Sequence, residues 1–153
     1  MTKPSKPVSW RRSDYPHTFA LQTRWSDNDM FGHVNNVEYH RFFEQAVVSF
    51  LMKTCGLDLL TSPVIPFAAE NLCRFRRSLS WPEQVTVGLM VEHLGKSSLR
   101  LGLALFGEGQ DEAAAEGYWV QVFVDRASQQ PVTIPESLRQ ALQPYRQPGS
   151  ESK

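Results

Sequence analysis

The segment from Tyr39 to Leu51 constrains this chain more than any other. Tyr39, Phe42, Phe43, Ala46, Val47, Phe50 and Leu51 follow the i, i+3, i+4 spacing of an α-helix. A stripe this apolar cannot face water, so the rest of the chain has to bury it. What surrounds it alternates with period two, the pattern of strands. Phe19, Leu21, Thr23 and Trp25 share one face of a first strand from His17 to Trp25. After Pro63 and Pro66, the segment from Phe67 to Ser80 reads as an interrupted strand. Val85, Val87, Leu89 and Val91 alternate with Thr86, Gly88, Met90 and Glu92, and Leu99, Leu101, Leu103 and Leu105 alternate with Arg100, Gly102 and Ala104. A last strand over about 113 to 125 sets Tyr118, Val120, Val122 and Val124 against Trp119, Gln121 and Phe123; with bulky groups on both sides it is expected to be covered on both faces. Short turns at Gly95 and Lys96 and at Gly107 to Asp111 imply antiparallel neighbours. The expected class is α+β: a five-stranded, mainly antiparallel sheet wrapped around one long helix from about Val37 to Thr54, which Gly56 closes in a left-handed conformation. Pro135 to Leu142 suits a short terminal helix.

With 153 residues, the chain is expected to form one domain over residues 17–143, between a loosely held arm at 1–16 and a polar tail at 144–153. Sixteen basic and sixteen acidic residues cancel, so nothing draws the protein electrostatically to nucleic acid or to an anionic membrane. Cys55 and Cys73 do not form a disulfide framework or a metal-ligand spacing, and read as free thiols. No apolar run reaches the roughly 18 residues of a membrane span, and the first residues lack a signal peptide's apolar core, so a cytoplasmic protein is expected. One helix does not cover a five-stranded sheet, so an exposed edge or face is expected to pair with a second copy, giving a homodimer or a dimer of dimers.

The unusual chemistry lies immediately before the helix. Asp27, Asn28, Asp29, Gly32, His33, Asn35 and Asn36 form a polar loop that runs into the apolar stripe. A helix N-terminus offers unpaired N–H groups and the positive end of the helix dipole, which suits a developing oxyanion. A carboxylate a few residues upstream suits a nucleophile or a base. Each residue also has a purely structural use. Asp27 and Asp29 can bond amides of their own turn, Gly32 can supply an unusual backbone angle, and Asn35 or Asn36 can cap the helix. His33 either orients Asp29, touches an acyl group or ties the loop together. His40 and Glu44 are spaced for an i, i+4 contact.

The run D-N-D-M-F-G-H-V-N-N, with Tyr39 and Glu44 after it, resembles the active-site signature of hot-dog-fold acyl-CoA thioesterases of the 4-hydroxybenzoyl-CoA thioesterase type. The resemblance spans about residues 17 to 126 in element order and is close in sequence only over this stretch. It implies hydrolysis of an acyl-CoA or acyl carrier protein thioester, with no cofactor, because coenzyme A is part of the substrate. It places the catalytic carboxylate on Asp29 and the oxyanion-binding N–H near Asn36 and Val37. It leaves open whether Asp29 attacks the carbonyl or activates water. Thioester cleavage releases a thiolate whose conjugate acid has a pKa near about 8.5, so it needs no strong acid.

Gly32, Asn35, Phe31 and Tyr39 are candidate substrate contacts, and His33 a candidate participant. Glu70 is a weaker candidate, able to approach the site only across a subunit boundary. Arg74 and Arg76, with Arg77, Lys96 and Arg100, are candidate phosphate ligands for coenzyme A, since guanidinium forks match phosphate oxygens. Two other readings fit the same loop: a hot-dog hydratase or dehydratase working through His33 and Asp29, and an acyl-CoA binder without turnover. A metal site from Asp27, Asp29, His33 and His40 is disfavoured, because the cation would sit against the positive end of the helix.

Overall fold

A computed structural model describes residues 10–149. The expected arm therefore lies outside the described residues over 1–9, and the expected tail over 150–153. The elements are β1 (His17–Gln22), α1 (Asn36–Ser49), β2 (Val64–Phe75), β3 (Gln84–Leu94), β4 (Ser98–Phe106), β5 (Ala115–Asp125) and α2 (Glu136–Leu142). The five strands form one sheet in the order β1-β3-β4-β5-β2, every pair antiparallel. The sheet wraps around α1, which is the hot-dog arrangement. A single π-type turn, Phe50–Thr54, carries α1 on to the length expected of it. Gly56 follows at φ 74°, a left-handed angle open to glycine.

The apolar stripe is the core. Phe43, Ala46, Val47 and Phe50 of α1 are completely buried, against Val85, Val87, Leu89, Leu99, Leu101 and Phe123 of the sheet. Each large side chain among them stabilises the fold by about 1.5–3 kcal/mol through loss of contact with water. That burial fixes α1, and with it the direction in which its first turn points.

The sheet departs from the sequence pattern at three places. β1 stops at Gln22, because Asp27 captures the Arg24 N–H at 2.7 Å and bends Trp25–Asp27 into a 3-10 turn. Trp25 is then 74% exposed instead of facing the core. β2 begins earlier, at Val64, and ends at Phe75; it tolerates Pro66 because it is an edge strand, and a bulge lies between Ala68 and Glu70. β5 buries Trp119, Gln121 and Phe123 under α1, whereas Tyr118, Val120 and Val122 are only partly covered.

Both ends of the domain are attached to the sheet. On the face away from α1, Tyr15 packs on Met90, Ala104, Phe106 and Ala113, with Trp10 beside them. Gly88 makes room for the ring, since a Cβ there would lie 2.6 Å from Tyr15 Cγ. Arg12 Nη2 donates to Thr86 Oγ1 at 2.7 Å. Beyond the end of β1, Gln147 N–H donates to the Val91 carbonyl at 2.8 Å and extends the same edge. No helix among the described residues is long and apolar enough to cross a membrane.

Candidate active site

The loop ahead of α1 is a closed structure held from three sides. Asp29 N–H donates to the His33 carbonyl at 2.8 Å, Gly32 N–H to the Asp29 carbonyl at 3.1 Å, and Asn28 pairs with Val34 in an isolated bridge. Gly32 adopts φ 77°, the left-handed angle that a tight reversal needs. Ser80 Oγ donates to the Gly32 carbonyl at 3.0 Å, Trp81 N–H to Asn28 Oδ1 at 3.1 Å, and Val34 N–H to the Leu79 carbonyl at 2.7 Å. The loop is thus docked on the segment that leads into β3.

Asp27 braces it from beneath. Its carboxylate is fully buried and accepts from Arg24 N–H at 2.7 Å, Nε at 3.1 Å and Nη2 at 2.8 Å, while its carbonyl accepts from Asn35 N–H at 2.8 Å. Burial opposes ionisation of Asp27, but the hydrogen bonds and charge of Arg24 win and hold its carboxyl below the ordinary range. A carboxyl depressed in the folded state contributes stability that is present above its unfolded pKa, about 3.9, and is lost as pH falls through the lower folded value. Because the Arg24 side chain is half exposed, solvent screens the pair. Asp27→Asn is expected to cost about 1–2 kcal/mol at neutral pH. Denaturant titrations of both proteins should show that difference shrinking below pH of about 4.

Asn35 is the cap of α1: its Oδ1 accepts from Val37 N–H at 3.1 Å, and its carbonyl accepts from Glu38 N–H at 2.9 Å. Of the expected oxyanion donors, the Val37 N–H is therefore occupied. The Asn36 N–H, at the first helical position, has no protein partner among the described residues.

Asp29, His33, Asn36 and Tyr39 line one open cleft of about 380 Å³, together with Val34, Phe75, Arg76, Arg77 and Ser78. Asp29 Oδ1 accepts from Phe31 N–H at 2.9 Å. Tyr39 is buried, its hydroxyl donates to the Arg77 carbonyl at 3.2 Å, and its ring meets Phe75 edge-on. Arg76 reaches the cleft and forms an ion pair with Glu116. Phe75 and Ser78 are cleft residues that sequence reasoning did not place there, because about 40 residues of chain separate them from the loop, whereas Arg77, a candidate phosphate ligand, does border the cleft. Only the arginine cluster hinted at that segment.

Other candidates lie elsewhere. Phe31 is 77% exposed on the tip of the loop, and Val37 is exposed beside a neighbouring groove. Glu70 and Arg74 project from the sheet face away from α1: Tyr118 Oη donates to Glu70 Oε1 at 2.6 Å, and Arg74 joins Glu92, Arg100 and Tyr118 around a separate hollow. Arg100 is held by Glu92 at 2.9 Å and stacks 3.8 Å over the Tyr118 ring. Burial pushes the thiols of Cys55 and Cys73 up to about 11, which keeps them protonated and non-nucleophilic. Among the described residues no three His, Cys, Asp or Glu side chains are grouped for a metal ion.

An antiparallel sheet of this order wrapped around one long helix is the hot-dog fold. The model of the thioesterase-like superfamily matches residues 23–142, and the chain belongs to that superfamily. The PA5185 protein of Pseudomonas aeruginosa strain PAO1 is 42% identical and superposes with a TM-score of 0.89, over 94% of this chain and 100% of that one. A thioesterase from Thermus thermophilus, solved in complex with coenzyme A and Zn, is 27% identical with a TM-score of 0.72, over 85% of this chain and 94% of that one. The long-chain acyl-CoA thioesterase FadM of Escherichia coli (strain K12) is 24% identical over 124 residues, which is 80% of this chain and 94% of FadM. The protein is accordingly a thioester hydrolase.

Proposed function

We propose that the chain hydrolyses an acyl-CoA thioester to the free acid and coenzyme A in the cleft ahead of α1. One observation carries this reading: Asp29 and Asn36, whose N–H has no protein partner among the described residues, border the same cleft. The thioester carbonyl oxygen sits at the helix start, where the Asn36 N–H and the dipole of α1 stabilise the negative charge that develops on it. Asp29 either attacks the carbonyl carbon, giving an acyl anhydride that water then opens, or takes a proton from a water that attacks instead. In both routes the C–S bond breaks, the electron pair leaves on the coenzyme A sulfur, and the carboxylate is regenerated. The thiolate is a good leaving group, so the step does not depend on a strong acid.

His33 shares the cleft and holds the loop closed through its carbonyl. Arg76, which borders the cleft, meets a coenzyme A phosphate in this reading, and Tyr39 with Phe75 forms the apolar wall beside the carbonyl. The free edge of β2 exposes Phe67 and suits pairing with a second copy, so the working unit is a homodimer or a dimer of dimers. A coenzyme A substrate and free thiols both fit the cytoplasm. A panel of acyl-CoA thioesters scored for thiol release tests the reaction. Loss of enoyl absorbance without thiol would instead identify a hydratase, and binding without either product a carrier.

A further inference from the structure

Asp27 is the joint between the two halves of the site. Asp29 follows it by two residues, and its carbonyl accepts from the N–H of Asn35, the residue that precedes Asn36. Asp29 and Asn36 border the cleft, whereas Asp27 is buried behind the loop. Whatever orients Asp27 therefore orients both the carboxylate and the oxyanion donor. Arg24 holds it at three points: its N–H donates to Asp27 Oδ2, and its Nε and Nη2 both donate to Oδ1.

Arg24 also reaches the helix. Its Nη2 lies 3.7 Å from Oε2 of Glu38, in the first turn of α1, and the same oxygen lies 3.2 Å from Arg41 Nη1. That oxygen is buried without a hydrogen bond, so the two guanidinium charges are what compensate it. Asp27, Arg24, Glu38 and Arg41 thus alternate in sign from the base of the loop to the flank of α1. One planar fork spans the join between loop and helix; a lysine ammonium is a point charge without that fork. Arg24, Asp27 and Arg41 line a second hollow, of about 440 Å³, with Phe19, Leu21 and Phe42. Arg24 therefore lies behind the Asp29 loop rather than in its cleft, with half of its side chain open to solvent.

We infer that Arg24 is a positioning residue: by tying Asp27 to Glu38 it holds the Asp29 carboxylate in register with the Asn36 N–H. The assignment rests on the thioesterase reading above and adds to it a residue that acts through others. Asp29 and the Asn36 N–H serve one carbonyl group, the first at its carbon, directly or through water, and the second at its oxygen. A displacement of about 1 Å between such groups costs up to about 100-fold in rate. Arg24 does not border the cleft, so its loss falls on kcat and not on KM.

Arg24→Lys keeps the positive charge beside Asp27 and removes the fork. It is expected to lower kcat for thiol release about tenfold, with KM within about twofold of wild type. Glu38→Gln leaves the Arg24–Asp27 contacts in place and is expected to lower kcat about threefold; the double variant should be no slower than Arg24→Lys, because both changes remove one tie. In Arg24→Ala, guanidinium ion well below denaturing concentration is expected to enter the hollow and raise kcat about threefold or more, while Asp29→Asn gains nothing from it. A wild-type kcat in Arg24→Lys, a loss carried by KM, or a folded Arg24→Ala that guanidinium does not restore overturns the assignment. If Arg24→Ala does not fold, Arg24→Lys and Glu38→Gln decide it. If the wild-type protein releases thiol from no thioester, the thioesterase reading fails separately, and hydrogen exchange decides the tie. Amides over 27–36 that exchange about tenfold or more faster in Arg24→Lys support it, and unchanged exchange overturns it.

Discussion

Asp29→Asn is expected to lower thiol release from an acyl-CoA thioester by about 10²- to 10⁴-fold, with KM nearly unchanged. The substitution removes the carboxylate's charge and basicity and little else. The amide Oδ1 still accepts from Phe31 N–H, the bond that closes the turn at 2.9 Å, and the Asp29 backbone bond to His33 is untouched. Folding, followed by circular dichroism and thermal midpoint, should therefore match the wild type. A variant that turns over within about tenfold of the wild-type rate would remove Asp29 from the chemistry, whatever the family resemblance implies.

The second large effect concerns a backbone atom. Asn36→Pro deletes the N–H assigned to the oxyanion and should reduce kcat by about 10²- to 10³-fold. The position tolerates the change. Proline is favoured at the first helical position, whose N–H has no intrahelical partner, and Asn35 already has the extended angles, φ −59° and ψ 137°, that a residue before proline adopts. Asn36→Ala keeps the N–H and removes only the side chain, so it separates the two contributions. Equal losses in both variants would show that the side chain, not the helix terminus, matters, and would return the oxyanion role to another donor.

The family motif favours Asp29 over Asp27, and the structure supplies a physical reason for separating them. Asp27 and Asp29 sit two positions apart, with the same side chain, in the same polar loop. The structure gives Asp27 to Arg24 and to the base of the helix, and leaves Asp29 at the cleft. The paired asparagines divide likewise: Asn35 uses its side chain on Val37 N–H, and Asn36 is left with the open backbone donor. Such divisions depend on which groups a neighbour reaches first, and local spacing carries no record of that.

The sequence by itself determined the helix, the strands and their antiparallel pairing, because hydrophobic periodicity dictates which faces must be buried and short turns dictate how strands meet. It also placed a polar loop at the start of α1, where helix N–H groups lack intrahelical partners. Tertiary structure alone decided that Trp25 turns outward once Asp27 bends the chain, that Glu70 and Arg74 lie across the sheet from Asp29, and that Phe75 to Ser78 complete the cleft. Among the described residues, it alone left Trp119 Nε1 and Gln121 Oε1 buried without a hydrogen-bond partner. Those outcomes join residues far apart in the chain, and only packing, which works through distance in space, brings them into contact.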